Sequence, residues 1–378
     1  MTAAPGVAGG WCFRWDLDKT YVYTEFHGVR NLLRTALEKP EEKRTVPGAA
    51  ALLRALRRQS PNHRIAFISG SPRQMEAVLR AKLKLDGIEP DELVLKPNLE
   101  NLLRGRFRAL SEQVGYKLPA LLEARRRTPA GTCEVCFGDD AEMDALIYSM
   151  YADILAGRVS TAVLSRVLTL CGAYEDAAAH TVGLACALET GEAVRRIFIH
   201  LEGKHPPARF ARFGTRLAPI HNYFQAALVL WEDGVLPLEG VGTVLGALFA
   251  EHGYDVARAM NSVQDARRRG IVRRDTAGAL HDALHDGTLQ LAEAGRPARA
   301  LPALDALAKE LERRLAGLAD QAEAPAGGTG AGGVGDSGGG GVGGGGAGVG
   351  SGSGGGGVGP AIDYVHAIEE MAERKDGA

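Results

Sequence analysis

Two carboxylates, Asp16 and Asp18, stand two residues apart in Asp16-Leu17-Asp18-Lys19-Thr20, directly after the aromatic-rich run WCFRW at residues 11–15. At the end of a strand such a pair can converge on one point. One carboxylate can attack phosphorus and form an aspartyl-phosphate. The other can protonate the leaving oxygen and then take a proton from the attacking water. Three more chemical elements follow along the chain. Ser69 closes the apolar run IAFIS and precedes Gly70, where a hydroxyl and backbone N–H groups can hold a phosphate oxygen. Ser69 or Ser71 can equally cap a helix. Lys117 stands at the start of a predicted helix and can neutralise phosphate charge and orient a nucleophile. Gly138-Asp139-Asp140, with Asp144 just beyond, supplies hard oxygen ligands suited to Mg²⁺. Taken singly, these are ordinary features: an acidic turn, a helix cap, a solvated lysine and a second turn.

Their order gives them weight. The intervals are 53 residues from Asp16 to Ser69, 48 from Ser69 to Lys117 and 22 from Lys117 to Asp139. Each fits one or two helices plus a strand. Strands are predicted at 11–17, 65–69, 92–96 and 133–140, and helices at 47–58, 71–83, 99–114 and 117–127. Alternating strands and helices imply a largely parallel, Rossmann-like α/β sheet with helices on both faces. Ligands of such sheets bind at the carboxyl ends of the strands, where all four elements would meet.

Beyond the strand at 133–140 the texture changes. Ala and Leu recur at helical spacing, and we read residues 11–157 as a catalytic domain and 158–322 as an α-helical domain. Residues 323–360 are dominated by glycine and read as a disordered linker that cannot bury a core. Residues 361–378 carry one amphipathic helix, with Ile362, Val365, Ile368 and Met371 aligned, tethered by that linker rather than packed. Removing residues 324–378 is therefore expected to leave folding nearly unchanged.

The whole chain has 378 residues, 45% of them hydrophobic, and a formal net charge of −2. That charge carries no specific nucleic-acid signal. Five scattered cysteines (Cys12, Cys133, Cys136, Cys171 and Cys186) read as reduced thiols. The N-terminus lacks a signal-peptide pattern, and the apolar stretch at 225–250 is broken by Glu232, Asp233, Pro237 and Glu239. We expect no transmembrane segment and a cytoplasmic protein.

The four elements, in this order, resemble the four motifs of the haloacid dehalogenase superfamily over roughly residues 11–157. FISGSPRQMEAVLRAKLKLDGIEPDELVLKP (67–97), VGYKLPALLEA and CFGDDAEMDALIYSMYADI are similar to the catalytic domain of actin-patch-type phosphatidate phosphatases. The resemblance implies Asp16 as nucleophile, Asp18 as acid/base, Thr20 as support for the nucleophile loop, and Ser69 and Lys117 as phosphate binders. It implies a magnesium site formed by Asp16, Asp18 and Asp139, with Asp140 or Asp144 completing it. The implied activity is Mg²⁺-dependent hydrolysis of a phosphomonoester, on a phosphorylated small molecule or a phosphatidate-like lipid. Two alternatives stand beside it: a non-catalytic scaffold that binds a phosphorylated partner, and a phosphatase of protein or nucleic-acid phosphate. A partner protein would dock on the helical domain or the terminal helix.

Other motifs carry less. His200 and His205 in HLEGKH are five residues apart, not the four that put two zinc ligands on one helical face. Cys133 and Cys136 lie within a strand and read as core thiols. Gly240, Gly242 and Gly246 miss the dinucleotide pattern. Neither interval between the first three elements has room for an inserted cap domain. Either the site is open or the helical domain leans over it, with Arg209, Arg212 and Arg216 offered to an anion. The segment 21–30, just after the nucleophile, is best placed to touch whatever enters.

Overall fold

A computed structural model describes residues 10–23, 39–96, 106–141, 143–203, 205–291, 302–323 and 362–376. Most of the segment 21–30 and nearly all of the glycine-rich linker lie outside the described residues.

The first four strands form where the apolar runs predict them: β1 (Trp11–Trp15), β2 (Arg64–Pro72), β3 (Glu92–Lys96) and β4 (Cys133–Asp139). Two more, β5 (Val194–His200) and β6 (Leu217–Ile220), come from the stretch read as an α-helical domain. All six pair in parallel in the order β3-β2-β1-β4-β5-β6. The sheet therefore runs through the boundary expected near residue 158, because β5 pairs with β4 from Glu134 to Asp139. The reading failed there for a physical reason. IFIH is a short, continuous apolar run, and periodicity alone cannot tell a buried strand of that length from a helix segment.

Helices cover both faces. On one, α1 (Ala49–Gln59) and α2 (Glu76–Leu85) carry the chain from β1 to β3. They share a core with Phe13, Trp15, Val135 and Phe137 of the sheet, and with α7 (Tyr223–Glu232), α8 (Leu238–Glu251), α9 (Val256–Arg268), α10 (Thr276–His285) and α11 (Pro302–Glu323). Gly48, at φ 83°, opens α1; a Cβ there would stand 3.3 Å from Cβ of Tyr223, so glycine lets this helix close on α7. On the opposite face lie α3 (Arg106–Arg126), α4 (Asp144–Leu155), α5 (Thr161–Leu170) and α6 (Glu175–Cys186), packed over Ile68, Cys136, Ile197 and Ile199. The alternation of strand side chains sorts these residues between the two cores.

Two local expectations are corrected. Residues 106–126 make one helix, not two, so Lys117 sits in the interior of α3 rather than at a helix start. Pro119 lies inside it. A proline there forfeits one backbone bond and ordinarily marks a boundary; burial of Val114, Leu118, Leu121 and Leu122 on one side carries the helix through. The terminal helix, α12 (Tyr364–Asp376), is not merely tethered. Tyr364, Ala367 and Ile368 are buried in the second core, Tyr364 donates its hydroxyl to Asp153 Oδ2 at 2.6 Å, and Arg212 pairs with Glu370 at 2.7 Å.

A buried ion pair fastens the two central strands. Arg14 on β1 grips Glu134 on β4 through Nε–Oε2 at 2.6 Å and Nη2–Oε1 at 2.8 Å, with Tyr151 donating to the same carboxylate. Burial pushes the Glu134 carboxyl up, and Arg14 and Arg125 outweigh it, leaving the group below its ordinary range. Removing one partner of such a pair costs about 3–5 kcal/mol. The pair holds in register the strands that end in Asp16 and Asp139.

Candidate active site

The sheet order reverses direction between β1 and β4, and the crevice beyond their carboxyl ends is where a doubly wound sheet takes its ligand. Asp16 follows β1 and donates its N–H to Phe137 O of β4 at 2.9 Å; Asp139 ends β4. Asp144 opens α4 five residues later. One carboxylate oxygen from each of Asp16, Asp139 and Asp144 lies within 4.8 Å of the others, and all three residues are fully buried. Lys117 reaches into this group from α3. Its ammonium stands 2.9 Å from Asp16 Oδ1 and 2.6 Å from Asp144 Oδ1.

Gly138 makes the close approach of Asp144 possible. A Cβ at position 138 would fall 2.4 Å from Asp144 Oδ2. The Asp144 carboxylate also accepts the Asp139 N–H at 3.3 Å, while Asp139 Oδ1 accepts the N–H of Ala141 at 2.6 Å. The turn thus points both acids by its own backbone.

Asp18 takes a different role from the other acids. Its Oδ2 accepts hydrogen bonds from Ser69 Oγ at 2.9 Å and Ser71 Oγ at 2.7 Å, and Ser69 Oγ in turn accepts the Ser71 N–H at 2.9 Å. Ser71 was missed as a site residue, although a Ser-Gly-Ser spacing along a strand puts both hydroxyls on one side. Lys19 between the acids holds φ 59°, the left-handed turn that brings the loop back toward Val22.

Asp140, expected near the metal, points elsewhere. Its carboxylate accepts the N–H of Gly203 at 2.5 Å and of His205 at 2.9 Å, and meets the His205 ring at 3.0 Å. It clamps the loop after β5. Asp144 takes the place by Asp16 and Asp139 that the sequence had left open between the two. His200 and His205 have separate partners and form no shared site.

Among the described residues, two from far along the chain hold the Asp16–Thr20 loop. Tyr223 donates its hydroxyl to Thr20 O at 2.6 Å, and the His200 ring nitrogen Nδ1 meets Lys19 O at 3.2 Å. The two rings stack at 5.8 Å. Burial holds the Tyr223 phenol well above its ordinary value, with the charges of Asp139 and Asp16 adding to it, so the hydroxyl remains a donor. Thr20 itself is buried, and its contact with Tyr223 runs through its backbone carbonyl. Neither Tyr223 nor His200 has a sequence signal tying it to a loop some 180 residues or more away.

The arginines offered as anion contacts do not serve that purpose as a set: Arg212 pairs with Glu370, and Arg216 with Asp153 and Glu192. The five cysteines are free thiols, four of them buried, as the core reading of Cys133 and Cys136 expects. No helix among the described residues is long and apolar enough to cross a membrane.

Residues 15–166 match the family model of the phosphatidate phosphatase APP1 catalytic domain. The match begins one residue before Asp16 and spans the residues just described up to Asp144, in agreement with the resemblance seen in the motifs. It does not reach His200 or Tyr223. No curated protein and no solved structure shows significant similarity to the chain.

Proposed function

We propose that the protein is a Mg²⁺-dependent phosphohydrolase of the haloacid dehalogenase type, acting on a phosphatidate-like phosphomonoester through an aspartyl-phosphate. The observation that carries this reading is the group Asp16, Asp139 and Asp144 around Lys117 at the switch point of the sheet. The match of residues 15–166 to a phosphatidate phosphatase catalytic domain supports it.

The donor set fits a hard divalent cation. Three buried carboxylates against one ammonium carry a formal charge of −2 when ionised, which is costly in a desolvated site unless a further positive charge joins them. Carboxylate oxygens in this arrangement are what Mg²⁺ prefers. Asp16, Asp139 and Asp144 would hold it, and bound there it would neutralise charge on the phosphoryl oxygens.

The chain's own residues divide the remaining work. An Asp16 oxygen attacks phosphorus, the bond from phosphorus to the leaving alcohol breaks, and the Asp18 carboxyl gives that oxygen its proton. Water then attacks the aspartyl-phosphate, Asp18 takes the water's proton, and inorganic phosphate leaves with Asp16 restored. Ser69 and Ser71 fix the rotation of the Asp18 carboxyl. Lys117 orients Asp16 and offsets phosphate charge. These catalytic residues are all present, which favours this reading over a scaffold that only binds a phosphorylated partner.

The test is hydrolysis of dioctanoyl phosphatidate and of p-nitrophenyl phosphate with Mg²⁺, by the full chain and by Asp16→Asn. The expected result is turnover that disappears with chelator and with the substitution, while the circular dichroism spectrum stays native. Undiminished turnover by a folded Asp16→Asn protein would refute the assignment.

A further inference from the structure

A cleft of about 480 Å³ lies beyond the carboxyl end of β6, and most of its described wall comes from beyond residue 166. Tyr23 lies three residues after Thr20 and forms one side with Arg44, whose carbonyl accepts the Tyr23 N–H at 2.9 Å. His221 and Asn222 follow the carboxyl end of β6, and Asn222 is the neighbour of Tyr223, which holds the nucleophile loop. Tyr254, just before α9, and Arg258, in its first turn, line the wall together with His252.

The chemistry of this cleft is one-sided. Among the described residues that line it there is no carboxylate. A neighbouring cavity of about 540 Å³ shares Tyr23 and Arg44 but also contains Glu41, Asp86 and Glu251. Among the described residues, neither Arg44 nor Arg258 has a carboxylate ion partner. Each guanidinium instead lies over a tyrosine ring, Arg44 at 5.8 Å from the centroid of Tyr23 and Arg258 at 5.2 Å from that of Tyr254. A ring face steadies a guanidinium without neutralising it, and leaves its N–H groups available to an anion. Burial holds the imidazole of His221 below its ordinary value. Burial lowers the His252 imidazole in the same way, so among the described lining residues the standing charge is that of the two arginines.

We propose that this cleft is a second oxyanion subsite, in which Arg44 and Arg258 bind a phosphate or carboxylate group other than the one hydrolysed. The inference rests on the phosphohydrolase reading and deepens it: the preferred substrate is presented with two anionic groups. The second group belongs either to the substrate molecule itself or to an adjacent headgroup in an anionic lipid surface. Both sources offer the same oxyanion to the same guanidinium forks.

The experiment compares the full chain with the double variant Arg44→Gln, Arg258→Gln, which retains side-chain length and removes the charge. The first arm measures kcat/KM for alkanediol bisphosphates of increasing chain length, each against its own monophosphate. The second arm measures hydrolysis of phosphatidate in vesicles of phosphatidylcholine alone and of phosphatidylcholine with phosphatidylserine. The wild type is expected to favour a bisphosphate, or the anionic vesicle, by about tenfold or more, and the double variant to lose that preference. A preference in the first arm assigns the oxyanion to the substrate, and one confined to the second assigns it to the surface. If wild type and variant show the same ratios in both arms, the subsite is refuted. Calorimetric titration of both proteins with the best-fitting bisphosphate separates this from failure of the underlying reading. A chain that hydrolyses nothing yet binds the probe more weakly as the double variant keeps the cleft and loses the phosphatase; equal binding by both proteins removes the cleft.

Discussion

Replacing Tyr223 by Phe deletes one hydroxyl from a ring that is otherwise locked in place. The ring lies 5.1 Å from Trp15 and 5.8 Å from His200, and these contacts survive the change. What is lost is the 2.6 Å hydrogen bond to Thr20 O. A buried carbonyl deprived of its donor costs about 1–3 kcal/mol. The loop can recover part of that by shifting, and Asp16 and Asp18 lie on the same loop. Full transfer of the cost to the transition state would slow turnover by about 5- to 150-fold. Allowing for relaxation, we expect kcat for p-nitrophenyl phosphate to fall about tenfold, with KM little changed because Lys117, the residue proposed to offset phosphate charge, stands on another element. The assay is steady-state hydrolysis with Mg²⁺, paired with urea unfolding of the same preparation. A kcat within about twofold of wild type, in a variant that has lost stability, would show that the contact serves packing alone and that the loop is positioned by other means.

Three further outcomes can be checked. A chain ending at residue 323 should lose about 2–4 kcal/mol of stability in urea, because α12 buries Tyr364, Ala367 and Ile368 against the second core and the gain is offset by ordering the helix; an unchanged midpoint would return the helix to a mere tether. Gly138→Ala should displace Asp144, whose carboxylate the added Cβ would overlap, cost about 1–3 kcal/mol as an overpacked site, and weaken Mg²⁺ activation measured by titration of the metal. His63, whose Nδ1 bonds Leu56 O at 2.9 Å, is held below 6.5 chiefly by burial. The folded state keeps it neutral while the unfolded chain takes up a proton, so its contribution is complete above pH 6.5 and declines as pH falls from there through the folded value. The melting temperature should drop across that interval, and His63→Asn should flatten the slope; a steeper slope in the variant would reverse the assignment.

Much of the site was legible because its residues lie where local pattern is strong. Asp16 and Asp18 follow an aromatic strand, Ser69 closes the apolar run inside β2, and Gly138-Asp139 closes β4, so short buried strands announced themselves. The α/β class followed from their alternation with helices. Lys117 was found by its place in the order, although its helix was divided at Gly115-Tyr116, through which α3 runs unbroken. The terminal helix was read correctly as amphipathic; that its apolar face has a seat on α5 was decided by surfaces distant in the chain.

The sequence by itself determined which groups can do chemistry and that one sheet edge would gather them, because hydroxyl, carboxylate and ammonium are properties of residues and strand ends are local events. Only the tertiary structure decided between neighbours of like chemistry. Asp144 rather than Asp140 joins Asp16 and Asp139, because Gly138 leaves room for one carboxylate while the loop after β5 captures the other. Only the tertiary structure, too, brought β5 and β6 into the sheet and set Tyr223 and His200 against the Asp16–Thr20 loop. Such contacts join residues far apart in the chain, and their cost is met by burial in a common core, a quantity that no local window of sequence contains.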